Sequence, residues 1–239
     1  MEIHKPKPFH NWREFLKEYG IIVLGVLTAL GLEQALESWH AHEKLKEVTS
    51  AIDAEVREGL TSAQVMANMQ RCQQQQLAVL SDAVGRGDQA RVRSLLAQGD
   101  IFNVVPFNNT AWTAALASDI SSRFDQRQRT AYSGVYYVTD EEKRWTSDLG
   151  HSVARLAAFA QSGLSQSPAA SADAVSEVAE MTATLSNMQR AAQVYQRFAE
   201  QGLGMKASQA DVDAFLRKRN MVAECNAAAA AALGPGPKI

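Results

Sequence analysis

The sequence predicts an all-α protein, with an N-terminal transmembrane helix that continues into an antiparallel helical bundle. Three observations predict it. An uncharged run from Tyr19 to Leu32 lies near the N-terminus. Beyond it, apolar residues recur every three or four positions along most of the chain. β-Branched runs bounded by turn residues, the usual sign of strands, are nearly missing from 239 residues that include only 6 Pro and 14 Gly.

The uncharged run alone makes about 21 Å of helix at 1.5 Å per residue, short of a hydrocarbon core of roughly 30 Å. A core helix, an interfacial helix and the apolar part of an export signal all pass that length test. The flanks argue for a retained anchor over residues 15–39. Extension to Phe15 and Leu36 adds apolar residues at the cost of Lys17, Glu18 and Glu33, whose side chains can reach the interface. Trp12 and Tyr19 stand at one end and Trp39 at the other as interface anchors. Trp12 to Trp39 measures about 40 Å as helix, the depth of a bilayer with its headgroups. Small residues such as Ala29 and Gly31 suit a cleavage site, but the long leader with Trp12, Glu14, Phe15 and Glu18 is unlike a basic signal start.

Lys5, Lys7, Arg13 and Lys17 precede the span, whereas Lys44 and Lys46 follow it closely. The excess of basic residues before the span places residues 1–14 in the cytoplasm, and hence residues 40–233 in the periplasm of a bacterial inner-membrane protein. Residues 234–239 form a tail. Gly25 and Ala29 sit one turn apart, as do Gly31 and Ala35, so one side of the span is smooth enough for close packing with another helix.

In the body, Leu45, Val48, Ile52, Val56 and Leu60 continue the helical period out of the anchor. Gly59 and Thr61-Ser62 are read as an interruption. A second helix then carries Met66, Met69, Leu77 and Leu80 to the turn at Gly85 to Asp88. A short helix "QARVRSLLAQG" follows, and then the extended segment "DIFNVVPFNNT", where Asn109 or Thr110 can cap the helix "AWTAALASDI". Thr139 with Glu142 three positions later reads as a capping box that starts a long helix of Trp145, Leu149, Val153, Leu156 and Phe159, ended by Gly163. Ser167-Pro168 opens the next helix as N-cap and N1. Its residues Val175, Val178, Met181, Leu185, Met188, Ala192, Tyr195 and Phe198 repeat near the heptad of bundle packing. Gly202 and Gly204 stop it, and Ser208 caps a last helix through Val212, Phe215 and Val222.

Both of the 2 cysteines fall on apolar stripes, Cys72 with Met69 and Cys225 with Val222. In an oxidising compartment an even count favours a bond between them. The formal net charge of -2 argues against nucleic acid as a partner. The chain has no phosphate-binding loop, dinucleotide fingerprint, nucleophile elbow, zinc-type cysteine cluster or calcium loop, so no catalytic, cofactor or metal residues are assigned and an enzyme is not expected. Glu37-x-x-His40 and Asp148-x-x-His151 resemble halves of a di-iron motif but lack the bridging carboxylates. Arg217-Lys218-Arg219 reads as a solvated face, and Gln73 to Gln76 as helix surface.

The segment "REFLKEYGIIVLGVLTALGLEQALESWHAHEK", followed later by "NTAWTAALASDISSRFDQRQRTAYSGVYYV", resembles a group of uncharacterised bacterial single-pass membrane proteins with a "GVLxALG"-type anchor. The resemblance covers about a third of the chain. It implies a single-pass anchor with a helical extracytoplasmic domain and supplies no catalytic residues. The expected function is therefore contact with other proteins in the bilayer, by self-assembly into a homo-oligomer or as an accessory subunit of a larger membrane complex. An alternative is a ligand-sensing bundle with a pocket near Trp112, Tyr132, Tyr136 and Tyr137. These aromatics serve equally as core, which is the preferred reading because pockets are few per protein. An enzyme without a recognisable motif is the second alternative.

Overall fold

A computed structural model of the chain describes residues 12–97, 105, 107–118, 120–162 and 167–218. Six α-helices run through them: α1 (Trp12–Gly85), α2 (Gln89–Ala97), α3 (Thr110–Ala117), α4 (Gln126–Gln161), α5 (Pro168–Arg197) and α6 (Gln209–Lys218). A 3₁₀ turn spans Ile120–Arg123 and a π-helix spans Phe198–Leu203. Among the described residues there is no strand, and the fold class is all-α. Two compact units divide within α1, between Thr49 and Ser50.

In the first unit, the α1 segment that includes Tyr19, Ile22, Leu24, Leu27, Leu30 and Leu36 exposes these side chains. One helix among the described residues is long and apolar enough to cross a membrane, and its apolar window has no buried part.

The second unit has a core of Ile52, Val56, Leu60, Leu80, Leu156, Met181 and Met188, all fully buried. Cross-helix hydrogen bonds set the directions. Tyr132 bonds Asp53 and Tyr136 bonds Glu55, so α1 and α4 run the same way, and Gln89 of α2, just past the end of α1, bonds the Phe159 carbonyl near the end of α4. Against α1, α5 pairs Tyr195 with Val56, Gln196 with Gln64 and Gln189 with Gln73, and is antiparallel to it. Arg155 of α4 ion-pairs with Glu177 and Glu180 of α5. α6 seats Val212 in a cluster with Val65, Met69, Cys72 and Val105.

The structure corrects two readings made from local signals. α1 passes through Gly59 and Thr61-Ser62 without a break. Gly59 is a packing residue: a side-chain carbon there would collide with the Tyr195 hydroxyl and ring, so the missing side chain is the space α5 occupies. Thr61 returns its hydroxyl to the Arg57 carbonyl, four residues back, which keeps a polar side chain compatible with helix. α4 starts at Gln126, where Asp125 and Gln128 form the capping box, and Thr139 and Glu142 lie buried in its interior. Thr139 donates to the Val135 carbonyl at 3.2 Å.

Other ends agree with local chemistry. Ser167 accepts from the Ala170 N–H, with Pro168 opening α5. The π-helix ends at Gly204, whose φ of 70° favours glycine. Ser208 accepts from the Asp211 N–H at the start of α6. Gly163, Arg219, Val222, Cys225 and the tail lie outside the described residues, and so do residues 1–11, which include Lys5 and Lys7.

Candidate functional site

The first candidate surface is the apolar face of α1. Trp12, Tyr19 and Trp39 are all exposed. Trp12 stacks on Phe15, Phe15 on Tyr19, and Trp39 meets His40 edge-on, so local ring contacts hold the aromatic ends. A side-chain carbon built at Gly25 or Gly31 meets nothing, so no described part of this chain packs on either. Helix geometry corrects the idea of one smooth side. At 3.6 residues per turn, the Gly25/Ala29 pair and the Gly31/Ala35 pair point about 120° apart, which makes two narrow small-residue faces. The sequence leaves room for a helix on either.

The second candidate is the aromatic group of the second unit. Trp112, Tyr132 and Tyr136 come together as expected, whereas Tyr137 is 66 % exposed and takes no part. Trp112 stacks nearly parallel on Tyr136, with ring centroids 5.4 Å apart, and contacts Tyr132 and Phe124 at 5.8 and 6.3 Å. The rings fill the space between them. This is aromatic core, with the polar edges satisfied by acids of α1.

Those acids were missed in the sequence. Tyr132 donates to Asp53 at 2.6 Å, and Tyr136 donates to Glu55 at 2.7 Å. Both Glu55 oxygens also accept from the Ala111 N–H at 3.1 and 3.2 Å. One orphan donor of the α3 N-terminus is thus met by a carboxylate from another helix. Asn109, the N-cap residue, makes no side-chain cap. It bridges Asp140 and Lys143 of α4. Burial, reinforced by the hydrogen bonds to acids, pushes the Tyr132 and Tyr136 phenols above their ordinary range. The only sequence signal for this arrangement was acidic residues beside the apolar stripe at Ile52 and Val56, and acids on a helix flank are usually solvated.

No protein-family model, curated protein or solved structure matches the chain.

Among the described residues no group of three or more His, Cys, Asp or Glu side chains could hold a metal ion. Glu37, His40, Asp148 and His151 are all exposed. A cavity of about 590 Å³ lies beside α1 and α6, lined by Arg57, Glu58, Ser62, Val105, Phe215 and Lys218 among others. A smaller one of about 320 Å³ borders Phe198 and Gly202. Neither is lined by Trp112, Tyr132, Tyr136 or Tyr137.

Cys72 is buried in the Val65–Met69–Val212 cluster, and no described cysteine is free. Its expected partner, Cys225, lies outside the described residues. Gln73 and Gln76 correct the surface reading of the glutamine run: both are buried, and Gln73 accepts from Gln189 of α5 at 3.5 Å.

Proposed function

We propose that this chain is a membrane-anchored helical protein that works through protein–protein contacts, either by self-assembly or as an accessory subunit of a larger membrane complex. The observation that carries this reading is the apolar surface of α1, where Ile21, Ile22, Leu24, Leu27, Leu30 and Leu32 all face outward. Contiguous exposed apolar surface of this extent on a helix is a membrane or partner surface. The ring of Trp12, Tyr19 and Trp39 at bilayer spacing supports lipid as the solvent, and the two small-residue faces support helix contact within it. The resemblance of the anchor and of residues 109–138 to single-pass bacterial membrane proteins points the same way.

In this proposal the N-terminus is cytoplasmic and the second unit is periplasmic. An oxidising periplasm then favours the Cys72 to Cys225 bond, and the seating of α6 against Cys72 supports it, since Cys225 follows α6 in the chain.

Alkaline extraction of native membranes followed by cross-linking tests the reading. The chain is expected in the carbonate-resistant pellet and in cross-linked species larger than one copy. A chain washed into the supernatant refutes the anchor, and a resistant chain that cross-links to nothing and sediments as a monomer refutes the contact function.

A further inference from the structure

Glu142 sits where the bundle's own pattern calls for an apolar residue. Val135, Glu142, Leu149 and Leu156 follow one another at seven-residue steps on α4, and all four are buried. Glu142 is 1 % exposed, and neither carboxylate oxygen has a hydrogen-bond partner among the described residues. A buried charge without a partner is far costlier than the same group carrying a proton. A native orphan of this kind calls for a physical reason, because glutamine or leucine would fit the slot more cheaply.

We propose that Glu142 makes the helical unit a proton-linked element: the middle of α4 stays packed while this carboxyl is uncharged, and each opening of the segment releases one proton.

Among the described residues the surroundings offer the carboxylate no compensation. The cross-helix pairs bring Glu142 level with about Ser62 to Met66 of α1, a stretch without charged residues, and with about Met188 to Ala192 of α5. Arg190 is the one charged residue in that part of α5, and it is exposed and turned to Ser186 and Asn187. On α4 itself, Asp140 and Lys143 are engaged with Asn109, and Arg144 with Glu141. The residues before α3 offer Asn108, bonded to Glu58, and Asn109. α2, with Arg91 and Arg93, meets α4 at the Phe159 end. The π-helix, with Glu200, meets α4 near Ala131 and Gly134. Burial alone pushes the Glu142 carboxyl up, from the ordinary 4.5 to about 8.

The sign follows from linkage. Between those two values the packed segment holds a proton that the opened segment loses, so opening is favoured as pH rises, by about tenfold per pH unit, and levels off above about pH 8.

Hydrogen exchange on the full chain in detergent micelles, followed for peptides covering residues 138–146 and corrected for intrinsic rates, reads that equilibrium. In the wild type the opening constant is expected to climb roughly a hundredfold from about pH 5.5 to 7.5, and in Glu142→Gln it is expected to stay flat. Equal pH dependence in the two proteins overturns the proposal. If Glu142→Gln does not fold, the infrared spectrum of the wild type decides. A protonated-carboxyl stretch at about pH 6.5 that is lost by about pH 9.5 supports the proposal, and its absence at about pH 6.5 overturns it.

Discussion

The bond between Tyr136 and Glu55 offers a quantitative test of how the aromatic group is held. Tyr136 is buried, and its hydroxyl donates to Glu55 at 2.7 Å while the same carboxylate receives the Ala111 N–H. A hydrogen bond to a charged group contributes about 1.5–3 kcal/mol, and an abandoned buried donor costs about 1–3 kcal/mol. Tyr136→Phe removes one donor and leaves Glu55 bound to Ala111, so its expected cost is about 1.5–2 kcal/mol. Glu55→Ala strands both the Tyr136 hydroxyl and the α3 N-terminus, so its expected cost is about 3–5 kcal/mol. At about 2–4 °C per kcal/mol for a chain of this size, the melting temperature should fall by roughly 6–20 °C in Glu55→Ala. Thermal and urea unfolding of the full chain in detergent, followed by circular dichroism for both single variants and the double, gives the coupling energy. It should be about 1.5–2 kcal/mol, close to the whole cost of Tyr136→Phe, with the double variant little worse than Glu55→Ala. A coupling below about 0.5 kcal/mol, or a Tyr136→Phe variant less stable than Glu55→Ala, refutes the claim that one carboxylate organises both the ring and α3.

Gly59→Ala is expected to cost about 1–3 kcal/mol by driving a methyl into Tyr195, and Tyr195→Phe in the same chain should recover part of that loss because the nearest obstructing atom is the hydroxyl. Urea unfolding of the two singles and the double checks this, and no recovery in the double would place the clash elsewhere. Glu142→Gln should be about as stable as wild type near pH 4.5 and more stable by about 3 kcal/mol at pH 7, since folding must hold a proton that the unfolded chain has lost. Denaturant titrations at the two pH values measure it, and an equal difference at both would remove the carboxyl as the cause. Non-reducing electrophoresis after thiol alkylation of native protein should show no free thiol. Two alkylated cysteines would dismiss the Cys72 to Cys225 bond. Lys at both Leu24 and Leu27 should abolish carbonate resistance, because each charge near a span centre costs about 2.5–3.5 kcal/mol.

Much of the fold was legible because it rests on periodicity and on unambiguous ends. Met181, Leu185, Met188, Ala192 and Tyr195 all proved buried, and Ser167-Pro168 starts α5 as read. Val175 belongs to the same stripe yet is exposed, since position on a face does not guarantee a neighbour near the helix end. The misreadings share one cause. Gly59, Thr61-Ser62 and the Thr139/Glu142 pair carry strong local signals for ends, and each was overruled by a partner from a distant helix or by burial. The better signal was the heptad running through them. Ile52, Gly59, Met66, Gln73 and Leu80 are spaced by seven, as are Val135, Glu142, Leu149 and Leu156. In that period Gln73 and Glu142 are polar residues in core slots. The acid partners of the tyrosines were not legible at all, since nothing local to Asp53 or Glu55 indicates an aromatic ring on α4.

The two polar core slots behave differently, and the difference is informative. Gln73 finds Gln189 across the α1–α5 interface. A register slip by one residue would separate that pair and leave two buried amides unpaired, so the bond selects one alignment at modest net cost. Glu142 makes no such bond among the described residues and selects no alignment. Its presence weakens the packed state above its ordinary titration range, by an amount that grows with pH up to about 8 and is constant beyond. A core residue that only specified the fold would resemble Gln73. One that makes the middle of α4 the place where solution acidity is felt would resemble Glu142.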